Sequence, residues 1–372
     1  MRIPHLPRRR APLEADVAVL GSGLPALAAA LELSRRGARV AVLGTAPAGE
    51  RPRGLGLALL GPGRPYARVA RALGRSEARL VWAAGCENHL RLRALVDEAR
   101  RECGYAPRGS FLLATDRAEA AELAESEDML RDDGFPGEFL DHYMLETRFD
   151  LSSFPGAYWA AEDAEIDAGL LLGSLGERAL AAGVAFEPGP VRAVFAEASL
   201  VSVETGNGVI HAGAGLVATD GTVGGLLPEL RPLLQPAATG RLRTAPLAGA
   251  VLPTAVRTAD GRVAWQGRED AILLSCVGPS GDPSGDALLA FATRIPVELA
   301  SARRWDEVGE VSADGLPIVG RLPGRPLAVA CGFGALAAGF AFAAARWVAD
   351  ALLTGADPTP GPLRAMRSPA SV

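Results

Sequence analysis

The sequence predicts an α/β chain in two parts, a parallel nucleotide-type unit and a separate, mostly antiparallel sheet. Three observations carry this expectation. Residues 16–44 run from a short apolar stretch through a glycine turn and an Ala/Leu-rich helix to a second apolar stretch. Residues 242–295 read as short β-type runs separated by turn-rich loops. The 19 uncharged residues from Leu327 to Ala345 read as a buried strand, a glycine loop and a buried helix. A strand–helix–strand order implies parallel pairing, whereas strands in succession imply hairpins.

Asp16 to Leu20 suits a strand buried on both faces. Gly21-Ser22-Gly23-Leu24-Pro25-Ala26 follows, the Gly-x-Gly-x-x-Ala form of the dinucleotide-binding fingerprint. Gly21 permits the tight turn, Gly23 lets a pyrophosphate approach the backbone, and Ala26 lets helix and strand pack closely. Pro25 stands in the first helical turn, where a missing N–H costs little. The helix predicted from Pro25 to Arg36 stops at Gly37, and Arg39 to Leu43 returns as a strand. The unit then departs from the pattern. Gly44, 21 residues after Gly23, occupies the place where a carboxylate ordinarily accepts hydrogen bonds from ribose hydroxyls. Such charge-assisted bonds contribute about 1.5–3 kcal/mol each. Glu50 is a candidate to reach back toward the ribose. The alternative is a tight βαβ turn that packs and binds nothing.

Arg53 to Gly63 is a glycine-rich loop, and Tyr66 to Val96 reads as helical. Ser110 to Thr115 is a predicted strand, Arg117 to Asp132 an amphipathic helix, and Ala168 to Ala182 a helix ended by Gly183. Val184 to Phe186 and Leu200 to Glu204 read as strands, with a hairpin turn at Thr205-Gly-Asn-Gly208. Gly215 to Gly221 reads as a buried strand running into a glycine turn.

Composition narrows the chemistry. The net charge of −5 gives no general attraction to nucleic acid or anionic membranes. All 38 basic residues are arginine, which excludes a P-loop lysine, a Schiff base and a lysine general base. Cys86, Cys103, Cys276 and Cys331 are scattered without a C-x-x-C pair, so neither a metal site nor a disulfide framework is expected, and a reducing cytoplasm is. The Leu327–Ala345 run is long enough to span a bilayer, but its Ala/Gly content brings little transfer energy, so no membrane span is expected.

Taken with its C-terminal part, the chain resembles the D-amino-acid oxidase/glycine oxidase/sarcosine oxidase family of FAD-dependent oxidoreductases, from about Ala15 to Arg367. The opening βαβ unit, the Arg53–Gly63 loop with Pro65-Tyr66, the Leu216–Gly221 strand and the Trp305–Asp350 stretch carry the likeness. The last includes Ser312-Ala-Asp-Gly-Leu-Pro-Ile-Val-Gly320 and Leu327-Ala-Val-Ala-Cys-Gly-Phe-Gly334. The resemblance implies a Rossmann-like FAD-binding domain from residues 14–80, 158–230 and 308–356. A substrate or cap domain, built on a mostly antiparallel sheet, would come from 81–157 and 231–307, with flexible tails at 1–13 and 357–372. It implies FAD as cofactor, with the helix after Gly21, Gly23, Leu24, Pro25 and Ala26 facing the pyrophosphate. Gly44, Arg53 and Gly54 would border the cofactor, Val191 would lie by the adenine, and Ala218-Thr219 would pass nearby. Backbone N–H groups of Gly332, Phe333 and Gly334 would approach the flavin's pyrimidine side. The implied reaction removes hydride from the carbon beside an amine, giving an imine that hydrolyses.

The sequence departs from that family at several positions. Gly54 stands where relatives often have Asn. Glu307 and Gly309 occupy the Gly and Arg positions of a W-x-G-x-R element whose arginine often holds a substrate carboxylate. Trp265-Gln266 replaces an aromatic–Arg pair, and Ala335-Leu-Ala-Ala a frequent Gly-His-Gly. Tyr66, Trp265 and Gln266 are the candidate substrate contacts, and no catalytic or metal-binding residue is assigned. Arg51, Arg53 and Arg64 suit an anionic substrate or cofactor, or simply solvated loop positions. His89 and His142 read as surface residues, and Asp314 as a brace for the turn before Gly315. The expected partner is a small amine or amino-acid-like molecule, with a homo-oligomer or partner subunit open. An NAD(P)-dependent reductase, a non-catalytic relative and a flavin carrier remain as alternatives.

Overall fold

The computed structural model describes residues 14–44, 56–99, 103–219, 221–244, 254–268, 271–279 and 303–369. The chain opens with β1 (Glu14–Leu20), α1 (Leu24–Arg35) and β2 (Val40–Gly44), the predicted βαβ unit within two residues at each end. After β3 (Leu57–Ala58), the stretch expected to be helical from Tyr66 to Val96 forms two helices, α2 (Tyr66–Leu73) and α3 (Arg75–Ala99). Gly74 separates them at φ +91°, a conformation no helix continues through.

Next come β4 (Ser110–Leu113), α4 (Arg117–Asp132), β5 (Glu138–Asp141), α5 (His142–Phe149), β6 (Gly156–Ala160) and β7 (Ala164–Glu165). Asp116, Asp141 and Asp167 cap α4, α5 and α6 (Ala168–Ala181) with side-chain carboxylates. Strands β8 (Ala185–Pro188), β9 (Val191–Glu197), β10 (Leu200–Thr205) and β11 (Gly208–Val217) follow. Beyond α7 (Val223–Leu226) lie β12 (Leu234–Arg243), β13 (Ala255–Thr258), β14 (Val263–Arg268), β15 (Ala271–Pro279) and β16 (Arg303–Ser312). Strands β17 (Ile318–Arg321) and β18 (Leu327–Cys331) and helix α8 (Ala337–Leu353) complete the chain's regular structure.

Two eight-stranded sheets organise these elements. The first has the order β17-β18-β11-β1-β2-β8, with β10 on β11 and β9 on β10. Its centre is parallel: β1 pairs β2 and β11, and β11 pairs β18. The second has the order β16-β12-β15-β14-β13-β4-β6-β5 and is antiparallel except between β13 and β4. The expected domain breaks at 80/81, 157/158 and 307/308 fall inside α3, β6 and β16. Helix α3 lies with the first sheet's helices: buried Asn88 donates to the Ala338 carbonyl (2.8 Å) and accepts from the Phe342 N–H (2.8 Å) of α8.

Helix α8 with its preceding turn, Gly334–Leu353, is long and apolar enough to cross a membrane, but 72% of its apolar window is buried inside the fold. Residues 357–369, within the expected C-terminal tail, pack against the fold. Leu363 and Ala365 are buried there, and Arg367 forms a buried ion pair with Asp314.

Candidate cofactor and substrate site

Three glycine-bearing turns leave the carboxyl ends of neighbouring parallel strands β1, β11 and β18. At the first, Gly21 has φ +120° and donates its N–H to the Leu43 carbonyl (2.8 Å). A Cβ there would fall 2.2 Å from the Ala218 carbonyl oxygen, so only glycine fits this crossing. Helix α1 starts after Gly23 with Pro25 in its first turn, no side-chain cap and no acid nearby. Its leading dipoles are thus left uncompensated by the protein, the ordinary condition of an anion site. Ala26 is fully buried, and Ala218 is buried beside the turn, its N–H bonded to the Leu20 carbonyl (2.8 Å). Thr219 accepts a hydrogen bond from Thr222 (3.1 Å).

Gly44 ends β2 against this turn. A Cβ on it would lie 3.5 Å from both the Gly21 carbonyl carbon and Ser22 Oγ, an ordinary contact. Its carbonyl accepts the Gly189 N–H (3.0 Å), and Val191 begins β9 two residues on. Gly44 and Val191, far apart in sequence, thus border the same corner. Arg51, Arg53, Gly54 and Glu50 lie outside the described residues.

At the third turn Gly332 (φ +68°) and Gly334 (φ +51°) flank buried Phe333. The Gly332 carbonyl accepts the Ser312 N–H (3.4 Å), and a Cβ on Gly334 would meet Val311 at 3.2 Å. The loop therefore presses on the end of β16 and joins the two sheets. Ser312 is buried, and its Oγ has no hydrogen-bond partner among the described residues. Such an orphan hydroxyl beside a glycine loop fits a polar cofactor edge.

One row of paired residues crosses the second sheet: Trp305, Arg241, Ser275, Ala264, Arg257, Leu112 and Tyr158. Trp265 is next to Ala264, so strand alternation sends it to the opposite face, into a core with Phe111, Phe154 and Leu274. Trp265, an expected substrate contact, is thus buried on the face away from Arg257. Gln266 returns to the Arg257 face and is fully buried. Tyr66, the other aromatic expected at the substrate, is buried too. Its hydroxyl donates to Asp133 (2.5 Å), its ring meets Trp82 edge-on at 4.7 Å, and burial raises its pKa well above the usual phenol value. Gly309 pairs with Ala237 on the β16 face that also carries Val311, so the former arginine position faces the glycine loop with no side chain.

His89 is not a surface residue. It is 2% exposed, and burial, with help from Arg93, lowers its pKa to about 4. The helical period of α3 turns it inward, a pattern obscured by its polar neighbours Asn88 and Glu87. His142 lies half-exposed at the start of α5, its ring Nδ1 3.0 Å from the Phe154 carbonyl. Asp314 braces its turn as expected, accepting the Leu316 N–H (3.0 Å). Sequence reasoning passed over Arg257 and Asp163, both buried; the signal for Arg257 was an arginine at an alternating position within a strand.

A family model described as "FAD dependent oxidoreductase" matches residues 16–351. The chain belongs to this DAO family. Among solved structures, glycine oxidase from Geobacillus kaustophilus is 22% identical with a TM-score of 0.74, covering 92% of this chain and 95% of its own. L-proline dehydrogenase from P. horikoshii is 17% identical with a TM-score of 0.73, over 94% of this chain and 96% of its own. L-amino acid deaminase from Proteus vulgaris, lacking its specific insertion, is 17% identical with a TM-score of 0.74, over 98% and 99%. Among curated proteins, none matches. At these identities the shared feature is the fold, a Rossmann-like half joined to a separate substrate-binding half.

Proposed function

We propose that this DAO-family chain holds FAD along the carboxyl edge of its parallel strands and oxidises a C–N bond of an amine or amino-acid-like substrate. The observation that carries this reading is the alignment of the Gly21, Ala218 and Gly332 turns on one sheet edge. When bound, FAD supplies the two-electron acceptor for hydride from the carbon beside the nitrogen, and the imine product hydrolyses.

The chain's own residues bind and orient. The uncapped first turn of α1, at Leu24 and Ala26, holds the pyrophosphate by N–H groups and dipole. The backbone at Gly44 and Val191 takes the adenosine end without a carboxylate. Backbone N–H groups of Gly332 to Gly334, with Ser312 Oγ, stabilise negative charge on the pyrimidine side. No side chain at 309 clamps a substrate carboxylate, so amines lacking an α-carboxylate suit the site as well as amino acids do. The substrate arrives with its amine neutral, so no protein base is required. The four cysteines, all free thiols, favour a cytoplasmic setting.

Purified protein should be yellow and release FAD on denaturation, and anaerobic addition of the right amine should bleach it. A colourless preparation that FAD cannot reconstitute would overturn the reading. The bare positions Gly44 and Gly309 favour a second reading, a weakened relative or partner subunit. Its signature is bound FAD that no amine or amino acid in a broad panel bleaches.

A further inference from the structure

A cleft of about 310 Å³ opens where α7 meets the edge of the second sheet. Gly224 and Gly225 of α7 form one wall, with Arg231 from the 3-10 turn Pro228–Leu233 beside them. Leu234 and Pro236 of β12 form another, and Glu310 of β16, opposite Pro236 in register, completes the lining. Strand alternation separates this cleft from the cofactor face. Gly309 and Val311 turn toward the Gly332–Gly334 loop, so Glu310 between them points the other way.

One residue holds the two charges of the cleft. The Gly224 N–H donates to Glu310 Oε2 (3.3 Å), and the Gly224 carbonyl accepts from Arg231 Nε (2.8 Å). Among the described residues, Arg231 and Glu310 form no ion pair with each other. Neither the Nη groups of Arg231 nor Glu310 Oε1 makes a hydrogen bond there. Glu229, the acid nearest to Arg231 along the chain, is paired with Arg325. A Cβ on Gly224 would fall 3.0 Å from Glu310 Oε1 and 3.4 Å from Arg231 Cγ, so the bare glycine keeps the space between them open. A Cβ on Gly225 would meet nothing within 4 Å.

The N–H and the carbonyl oxygen of a single residue thus span the gap from carboxylate to guanidinium. A free α-amino acid has the same N–Cα–C–O skeleton, with a cation at its nitrogen and an anion at its oxygens. We infer that the cleft binds a free α-amino acid as its zwitterion. The ligand's ammonium meets Glu310 Oε1, and its carboxylate meets the Nη groups of Arg231, both as charge-assisted hydrogen bonds. Leu234 and Pro236 leave an apolar wall for its side chain. A lone anion or a lone cation answers only one of the two groups, so the site selects the zwitterion. It needs no FAD and is separate from the face on which oxidation is proposed.

The test is equilibrium dialysis of the full chain at pH 7 against radiolabelled 2-aminoisobutyrate. This amino acid has no hydrogen on the carbon beside its nitrogen, so hydride transfer cannot consume it. The wild type should bind it saturably, and neither acetate nor methylammonium at equal concentration should displace it. Arg231→Gln and Glu310→Gln should each weaken binding by about tenfold to a hundredfold, the loss of one charge-assisted contact. Arg231 is exposed, so its replacement leaves the fold intact. Gly224→Ala, which fills the space, should abolish binding. No saturable binding to the wild type, displacement by acetate alone, or unchanged affinity in both charge variants overturns the inference. Flavin content and bleaching by amine should be the same in Arg231→Gln as in the wild type, so failure of this site and failure of the oxidase reading are told apart.

Discussion

Arg367 holds Asp314 through two parallel hydrogen bonds, Nε to Oδ2 and Nη2 to Oδ1, both 2.8 Å long. The same guanidinium donates to the Leu316 (2.7 Å) and Pro317 (3.0 Å) carbonyls. One C-terminal side chain therefore clasps the whole Asp314–Pro317 turn, whose start at Ser312 backs the Gly332 loop. Removing either partner strands a buried charge, and Arg367→Ala should cost about 3–5 kcal/mol. Chemical denaturation measures it, and a loss under 1 kcal/mol would show the tail to be dispensable. Truncation after residue 360 should act alike.

His89 and Asp163 give opposing pH dependence. The His89 pKa falls from 6.5 to about 4 on folding, so its contribution is lost as pH falls from 6.5 toward 4. The Asp163 pKa rises from 3.8 to about 6, so its contribution is lost as pH rises through that range. Each slope approaches 1.4 kcal/mol per pH unit, and they nearly cancel between about pH 4 and 6. Urea midpoints should show His89→Gln losing stability as pH rises across this window. Asp163→Asn should lose it as pH falls, and parallel profiles for both variants would refute the assignment.

Gly44→Glu should strengthen dinucleotide binding. A side chain at 44 extends over Gly21 and Ser22 at ordinary contact distance. One or two charge-assisted bonds to ribose hydroxyls correspond to about tenfold to a hundredfold in Kd. Titration of the stripped protein with FAD measures this, and unchanged affinity would mean that the ribose lies elsewhere.

Asn88 fixes the start of α8 from a neighbouring helix. Asn88→Ala leaves the Ala338 carbonyl and the Phe342 and Ala343 N–H groups without their side-chain partner. The expected cost is about 2 kcal/mol or more. Because the Gly332–Gly334 loop leads into that helix, retention of flavin on gel filtration should fall too. Intact retention in a destabilised protein would separate the two effects.

Much of this was legible in local sequence. Gly21, Gly23, Ala26 and Gly37 encode their own turn and packing, so the βαβ unit could be read within a 30-residue window. The strand–loop–helix from Leu327 was equally local. What escaped depends on partners far away in the chain. Trp265 and Gln266 differ only in which face of β14 they occupy, and neighbouring strands decide that. His89 is polar, yet sits under the Ala58–Leu59 backbone; Arg257 reveals itself only when Gly63 is brought against it. The end of the chain was expected to be a flexible tail because Arg367's partner, Asp314, is 53 residues earlier.

Strand β11 has a consequence for how the protein is made. It pairs β1 from Glu14↔His211 to Leu20↔Val217 along one edge and β18 along the other. At roughly 5–20 residues per second, β1 waits about 10–40 s on the ribosome for its central neighbour. The first βαβ unit therefore emerges with one flank of an apolar strand bare, and that flank stays open until Val217 has been synthesised.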